Sequence, residues 1–146
     1  MATGIVPRGV RNCNPLNIRR GSKWLGLASH QDGEFCTFVS NDWGVRAACK
    51  ILHSYARRGI RTVAEIIRTW APPSENDTET YIQIVCSRTG FRPNHQIDVY
   101  DEDTMVALLL AMAWVECSTV FDESEFRLGF RRFMRYMSNI LRPVRH

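Results

Sequence analysis

Two glutamates stand in settings that would tune a carboxyl group for opposite tasks. Glu116 follows Ala113-Trp114-Val115 at the end of the most apolar stretch in the chain. A carboxyl beside apolar groups and the Trp114 indole loses hydration, which favours its protonated form. A glutamic acid that holds its proton near neutral pH is what a general acid for glycosidic cleavage needs. The competing reading is a helix-end glutamate that reaches solvent or pairs with an arginine such as Arg127. Glu75 lies in Trp70-Ala71-Pro72-Pro73-Ser74-Glu75-Asn76-Asp77-Thr78. The Pro-Pro corner sets it just before a helix N-terminus, whose dipole favours the ionised carboxylate. That suits a base or an electrostatic stabiliser, although a helix-dipole carboxylate with no catalytic part has the same signature. Glu34, in Asp32-Gly33-Glu34, is a third candidate, or a turn residue only.

Another stretch carries binding chemistry. Arg11-Asn12-Cys13-Asn14-Pro15-Leu16-Asn17-Ile18-Arg19-Arg20 crowds three asparagines and three arginines around one proline. Amide side chains both donate and accept, which matches sugar hydroxyls and N-acetyl groups. The same asparagines would also serve as Asx turns that cap a loop. Other chemistries find less support. His30, His53, His95 and His146 are scattered, without a metal-ligand spacing, and no P-loop, G-x-G-x-x-G or G-x-S-x-G occurs. Cys13, Cys36, Cys49, Cys86 and Cys117 are odd in number and form no C-x-x-C. Free thiols in apolar surroundings are expected, not a zinc site or a disulfide framework.

The elements that must position these residues are mostly helical. Residues 1–40 are broken by Pro7, Gly9, Pro15, Gly21, Gly26 and Gly33, so no long helix fits there. Glu34 to Val39 has the composition of one short strand, alone or in a hairpin. Ser40 or Asn41 caps a helix with Val45, Ala48, Leu52 and Tyr55 inside, closed by Gly59. Thr62 starts a second helix with Val63, Ile66, Ile67 and Trp70 on one face, stopped by Pro72-Pro73. Thr78 starts a third, with Tyr81, Ile82 and Val85 inside and Gly90 as terminator. Asp103 or Thr104 caps a fourth that is apolar nearly all round and therefore central. Asp122 begins the fifth, with Glu125 completing a capping box and Phe126, Phe130, Phe133, Met134 and Met137 as its inner stripe. The fold class is mainly α, as a single domain of about five helices over 41–141, preceded by the irregular region 1–40.

The totals bound the function. At 146 residues, with 45% hydrophobic and 23% charged, the chain can bury a real core and is not disordered. The longest apolar run, Met105 to Val115, is too short to span a bilayer. Met1 to Arg8 lacks a basic segment followed by an apolar one, so no signal peptide is expected and the product starts in the cytoplasm. Nineteen Lys and Arg against fifteen Asp and Glu give +4 and a pI near 9.0. That excess suits an anionic partner such as cell wall, nucleic acid or a lipid surface, or a solvated face alone. A nucleic-acid helix would use Arg127, Arg131, Arg132 and Arg135, but these lack interleaved aromatics and have ordinary solvent-face spacing.

The motifs resemble a family of small phage and prophage proteins associated with peptidoglycan cleavage. Its R-N-x-N-P-x-N-I-R opening is matched by Arg11 to Arg19, its W-x-G by Trp24-Leu25-Gly26, and its D-G-x-F-x-x-F by Asp32 to Phe38. Gly44-Val45-Arg46-Ala47 matches a G-x-R-A helix, and Ile66 to Ile82 matches the long run through W-A-P-P-x-E-N-x-T. The family's A-M-x-x-x-E-N-G element reads Ala111-Met112-Ala113-Trp114-Val115-Glu116-Cys117-Ser118, so Cys-Ser replaces Asn-Gly after the glutamate. The resemblance covers roughly residues 8–133. It implies a lysozyme-like fold and cleavage of the β-1,4 bond between peptidoglycan amino sugars. Glu116 would be the acid and Glu75 the base or stabiliser, or else one of the two, Glu116 or Glu75, would serve as both acid and base in a transglycosylase route. Asn14, Asn17, Arg19, Asn76, Thr78 and Tyr81 would hold the glycan. No metal or organic cofactor is implied. The partner would be bacterial peptidoglycan, met after release from the cell or from within a virion beside other virion or lysis proteins. The alternative is a non-catalytic virion or wall-binding protein that keeps the glycan groove.

Overall fold

A computed structural model describes residues 5–141; Met1 to Gly4 and residues 142–146, His146 among them, lie outside the described part, as does half of the stretch read for a signal peptide. Six helices follow in order: α1 Arg8–Arg11, α2 Asn41–Arg57, α3 Val63–Trp70, α4 Thr78–Thr89, α5 Glu102–Cys117 and α6 Glu123–Leu141. The architecture is mainly α, built around one hydrophobic core that runs from Leu16 to Met137. None of the described helices is long and apolar enough to cross a membrane.

The core forms because α5 has no polar face. Its Met105, Leu108, Leu109, Met112 and Ala113 are all at most 1% exposed. A helix apolar on every side must be covered on every side. α4 and α6 pack against it, α2 lies along α6, and α3 docks on α4. The α2–α6 approach depends on Gly129, where a Cβ would stand 2.6 Å from Val45 Cβ and 2.7 Å from the Asp42 carbonyl. Phe126, Phe130, Phe133 and Met137 fill the inner stripe of α6, with Met134 partly buried beside them.

The helix ends follow local chemistry and correct the sequence reading in places. Ser40 precedes α2, and Thr62 caps α3 through a reciprocal box with Glu65. α4 starts at Thr78 as expected, with Asp77 as its cap, and Asp101, not Asp103 or Thr104, caps α5 by accepting from the Thr104 N–H at 3.0 Å. The Asp122–Glu125 capping box does not form. Asp122 accepts from the Ser124 N–H at 2.9 Å, and the Glu125 carboxylate instead takes the Asn41 amide of α2 at 2.6 Å. The strand expected at Glu34 to Val39 is also absent among the described residues. Phe35 and Phe38 make single bridges to Arg19, Asp32 and Leu27, because the turns at Gly26 and Gly33 bend the chain before a ladder can extend. The short α1 was not foreseen, since one helical turn leaves no periodic pattern.

Ser118 ends α5 in the left-handed conformation, φ 49°. That is the position where a glycine costs nothing and a side chain costs about 1 kcal/mol. Ser118→Gly should therefore stabilise the protein by about 1 kcal/mol, raising the melting temperature by roughly 4 °C. A thermal melt reads this directly, and an unchanged or lower value would contradict it.

Candidate functional site

Both sequence-selected glutamates take part in a cleft of about 1060 Å³. Glu116 reaches it from the last turn of α5, and Glu75 and Asn76 from the loop between α3 and α4. Trp24, Phe35, Tyr55 and Trp70 give it aromatic faces, and Asn17, Arg19, Arg20 and Lys50 give it polar and basic ones.

Glu116 is fixed at each carboxyl oxygen. The Asn17 amide donates to Oε1 at 3.1 Å and to the residue's own backbone carbonyl at 3.2 Å. The Tyr81 hydroxyl donates to Oε2 at 2.9 Å. Burial pushes the Glu116 carboxyl above its ordinary value, and hydrogen bonding from Asn17, Tyr81 and Trp70 partly counters this. The indole that acts on this carboxyl is therefore Trp70, at the end of α3. Trp114 is turned elsewhere, with the Arg88 guanidinium 4.4 Å above its ring. Arg127 is not the partner of Glu116 either. It binds Glu102 at 2.8 Å, Asp103 at 2.9 Å and Glu123 at 3.1 Å. Tyr81 in turn is enclosed, and its hydroxyl is pushed well above its ordinary value by burial and by the neighbouring Glu116. The result is a protonatable carboxyl open to a cleft on one side and held by two neutral donors on the other.

Asn17 carries strain for this role. Its φ is 51°, a conformation asparagine tolerates better than most residues, and its buried Oδ1 has no hydrogen-bond partner. The backbone can come this close only because residue 9 is glycine. A Cβ there would lie 2.4 Å from Cys117 Sγ, 2.7 Å from the Asn14 carbonyl and 2.8 Å from Asn17 Oδ1. Cys117 stays a buried thiol, raised to about 11 first by burial and then by Glu116, and it donates to the Pro15 carbonyl at 3.4 Å. All five cysteines are free.

The other sequence-selected residues divide by exposure. Arg19 and Asn76 line the cleft, Arg19 in an exposed ion pair with Glu34 at 3.1 Å and Asn76 bonded to the Pro72 carbonyl at 3.2 Å. Asn14 and Thr78 do not reach it. Asn14 is 0% exposed, with its amide spent on Ile18 and Cys36. Thr78 is buried and donates to the Ala71 carbonyl at 2.5 Å, closing the loop that carries Glu75 and Asn76. Both hold the backbone that shapes the cleft. Tyr81 acts on Glu116 from inside the protein. Sequence reasoning missed Arg20, Trp24, Lys50, Tyr55 and Trp70 as lining residues. Trp24 and Trp70 stood in recognised motifs, but nothing in the spacing showed that they face one space. On α6 the expected basic face is largely neutralised: Arg127 and Arg131 pair with Glu102, and Arg132 pairs with Asp42 at 2.6 Å.

No family model matches the sequence. Protein P5 of Pseudoalteromonas phage PM2 is 38% identical over 132 residues, which cover 84% of this chain and 79% of that protein. At that identity and coverage, the chain belongs to the family of phage protein P5.

Proposed function

We propose that the protein cleaves the glycan strands of peptidoglycan, as a muramidase or lytic transglycosylase of lysozyme-like kind. The observation that carries the reading is the Glu116 carboxyl: raised above its ordinary value, held by Asn17 and Tyr81, and facing a cleft with aromatic and amide walls. Aromatic faces suit the apolar faces of sugar rings, and amides suit N-acetyl groups. The motif resemblance adds to the reading. Its site of action would be the cell wall, reached after release or from the virion.

Glu116 donates its proton to the glycosidic oxygen as the bond to C1 breaks, and positive charge grows on the sugar ring. Glu75 enters from the loop between α3 and α4 as the second carboxylate. It either activates a water or stabilises the oxocarbenium-like centre. In the transglycosylase route no water enters. The sugar's own C6 hydroxyl attacks C1, its proton passes to a carboxylate, and a 1,6-anhydro end results. Asn17 and Tyr81 position the acid, while Asn76 and Arg19 face the strand.

The test is clearing of purified, outer-membrane-stripped walls by wild type, Glu75→Gln and Glu116→Gln. Clearing by wild type that Glu116→Gln loses, with its circular dichroism unchanged, supports the reading. Wall pelleting without clearing would instead favour a non-catalytic wall-binding virion protein.

Tyr81→Phe gives a more specific signature. The Tyr81 hydrogen bond favours ionised Glu116, so its loss raises the acid's pKa further. The alkaline limb of the pH–activity profile should move to higher pH while the maximal rate falls. A limb that stays in place would separate Tyr81 from the acid.

A further inference from the structure

The cleft carries two cations that no carboxylate among the described residues neutralises. Arg20 comes from the N-terminal region and Lys50 from α2, and both line the cleft that holds Glu116. Neither forms an ion pair with a carboxylate among the described residues, in contrast to Arg8, Arg11, Arg19, Arg68, Arg127, Arg131 and Arg132. Both are nonetheless held in place. The Arg20 backbone N–H donates to the Glu34 carbonyl at 2.8 Å, and its guanidinium Nη1 donates to the Gly33 carbonyl at 3.1 Å. A guanidinium has five N–H donors, so a forked pair remains for a ligand. The Lys50 ammonium sits 4.0 Å from the Tyr136 ring centroid and 5.6 Å from that of Trp24.

A third cation lies behind Lys50 on the same helix. Arg46, one turn before Lys50 on α2, is only 4% exposed and likewise pairs with no carboxylate among the described residues. It lies between the Tyr136 and Trp43 rings, at 5.3 and 5.8 Å. Burial and the nearby Arg132 both act against its charge. Arg46 and Lys50 thus place two cations one turn apart on this part of α2, neither paired with a carboxylate among the described residues.

We infer that the Arg20–Lys50 side of the cleft is a carboxylate-reading subsite, which makes the protein select acid-bearing glycan over neutral N-acetylglucosamine polymer. The inference rests on the glycan-cleft reading above. Two sources share the chemistry: the lactyl carboxylate of a peptide-free muramic acid, and the stem-peptide carboxylates where the lactyl group is amide-linked.

The experiment is binding by calorimetry with three oligosaccharides of matched length: neutral chito-oligosaccharide, peptide-free glycan with free lactyl groups, and glycan with stem peptides attached. Wild type should bind at least one acidic form about tenfold more tightly than the neutral one, as charge-assisted pairs allow. The advantage should shrink as salt is raised. Whichever acidic form shows it names the source. In Arg20→Gln and Lys50→Met, the acidic-to-neutral ratio should fall toward one. Arg131→Gln, on α6, keeps the wild-type ratio and controls for net charge. Equal binding of neutral and acidic forms by wild type, or a ratio untouched in both variants, overturns the subsite while the glycan reading stands. Binding of none of the three overturns both.

Discussion

Glu116→Gln should reduce wall clearing by about a thousandfold, the usual order for loss of a positioned proton donor. The same substitution should make the folded protein more stable than wild type at neutral pH. Burial raises the Glu116 carboxyl above its ordinary value of 4.5, so the native state binds this proton more tightly than the unfolded chain does. For a raised carboxyl, stability falls as pH rises from about 4.5 through the folded-state value, because ionisation is easier in the unfolded chain. Glutamine carries no such charge. It can still accept from Asn17, and the Tyr81 hydroxyl can turn to accept from its amide. Denaturant melts across pH should therefore show the two proteins alike below pH 4.5, with wild type falling behind above it. Parallel curves at all pH values would mean that Glu116 titrates as an ordinary surface acid. The opposed signs, lost activity and gained stability, mark a group held for chemistry at the expense of the fold.

Asn14→Ala should cost about 3 kcal/mol and lower the melting temperature by roughly 10 °C. The Asn14 side chain is fully enclosed. Its Nδ2 donates to the Ile18 and Cys36 carbonyls at 2.9 Å each, and its Oδ1 accepts from the Ile18 N–H at 2.9 Å. The Ile18 carbonyl would keep its bond from the Cys36 N–H. The Ile18 N–H and the Cys36 carbonyl would be left buried and unpaired, at about 1–3 kcal/mol each. This one amide joins the Ile18 and Cys36 segments of an irregular region that no sheet supports. A loss below 1 kcal/mol in a urea melt would show that the region is held some other way. Unchanged stability with lost glycan binding would return Asn14 to the ligand-contacting role its sequence suggests.

The contrast between Asn14 and Asn17 shows where sequence reading succeeds and where it stops. Both stand in one motif, three residues apart, with the same side-chain chemistry. One is enclosed and bonded to its own loop, while the other reaches Glu116 on the far end of the chain. Residue type predicts that an amide will find partners but not which partners, because a pairing 99 positions apart depends on tertiary packing. The helices were more readable. Their apolar stripes, Pro72-Pro73 and Gly90 act within a few residues, and α2 to α6 appear where those signals place them. The cap at Asp101 displaced its neighbours Asp103 and Thr104 because several capping side chains stood together and geometry chose among them. The desolvation of Glu116 was legible from the apolar helix it ends. The identity of its indole was not, since Trp114 is near in sequence and Trp70 is near in space.

The most direct measurement is mass spectrometry of purified glycan strands after incubation with the protein. The account predicts shorter fragments cut at the bond between the two amino sugars, each with a new reducing or 1,6-anhydro end, and none with Glu116→Gln. Strands recovered at full length, bound to folded wild-type protein, would contradict it.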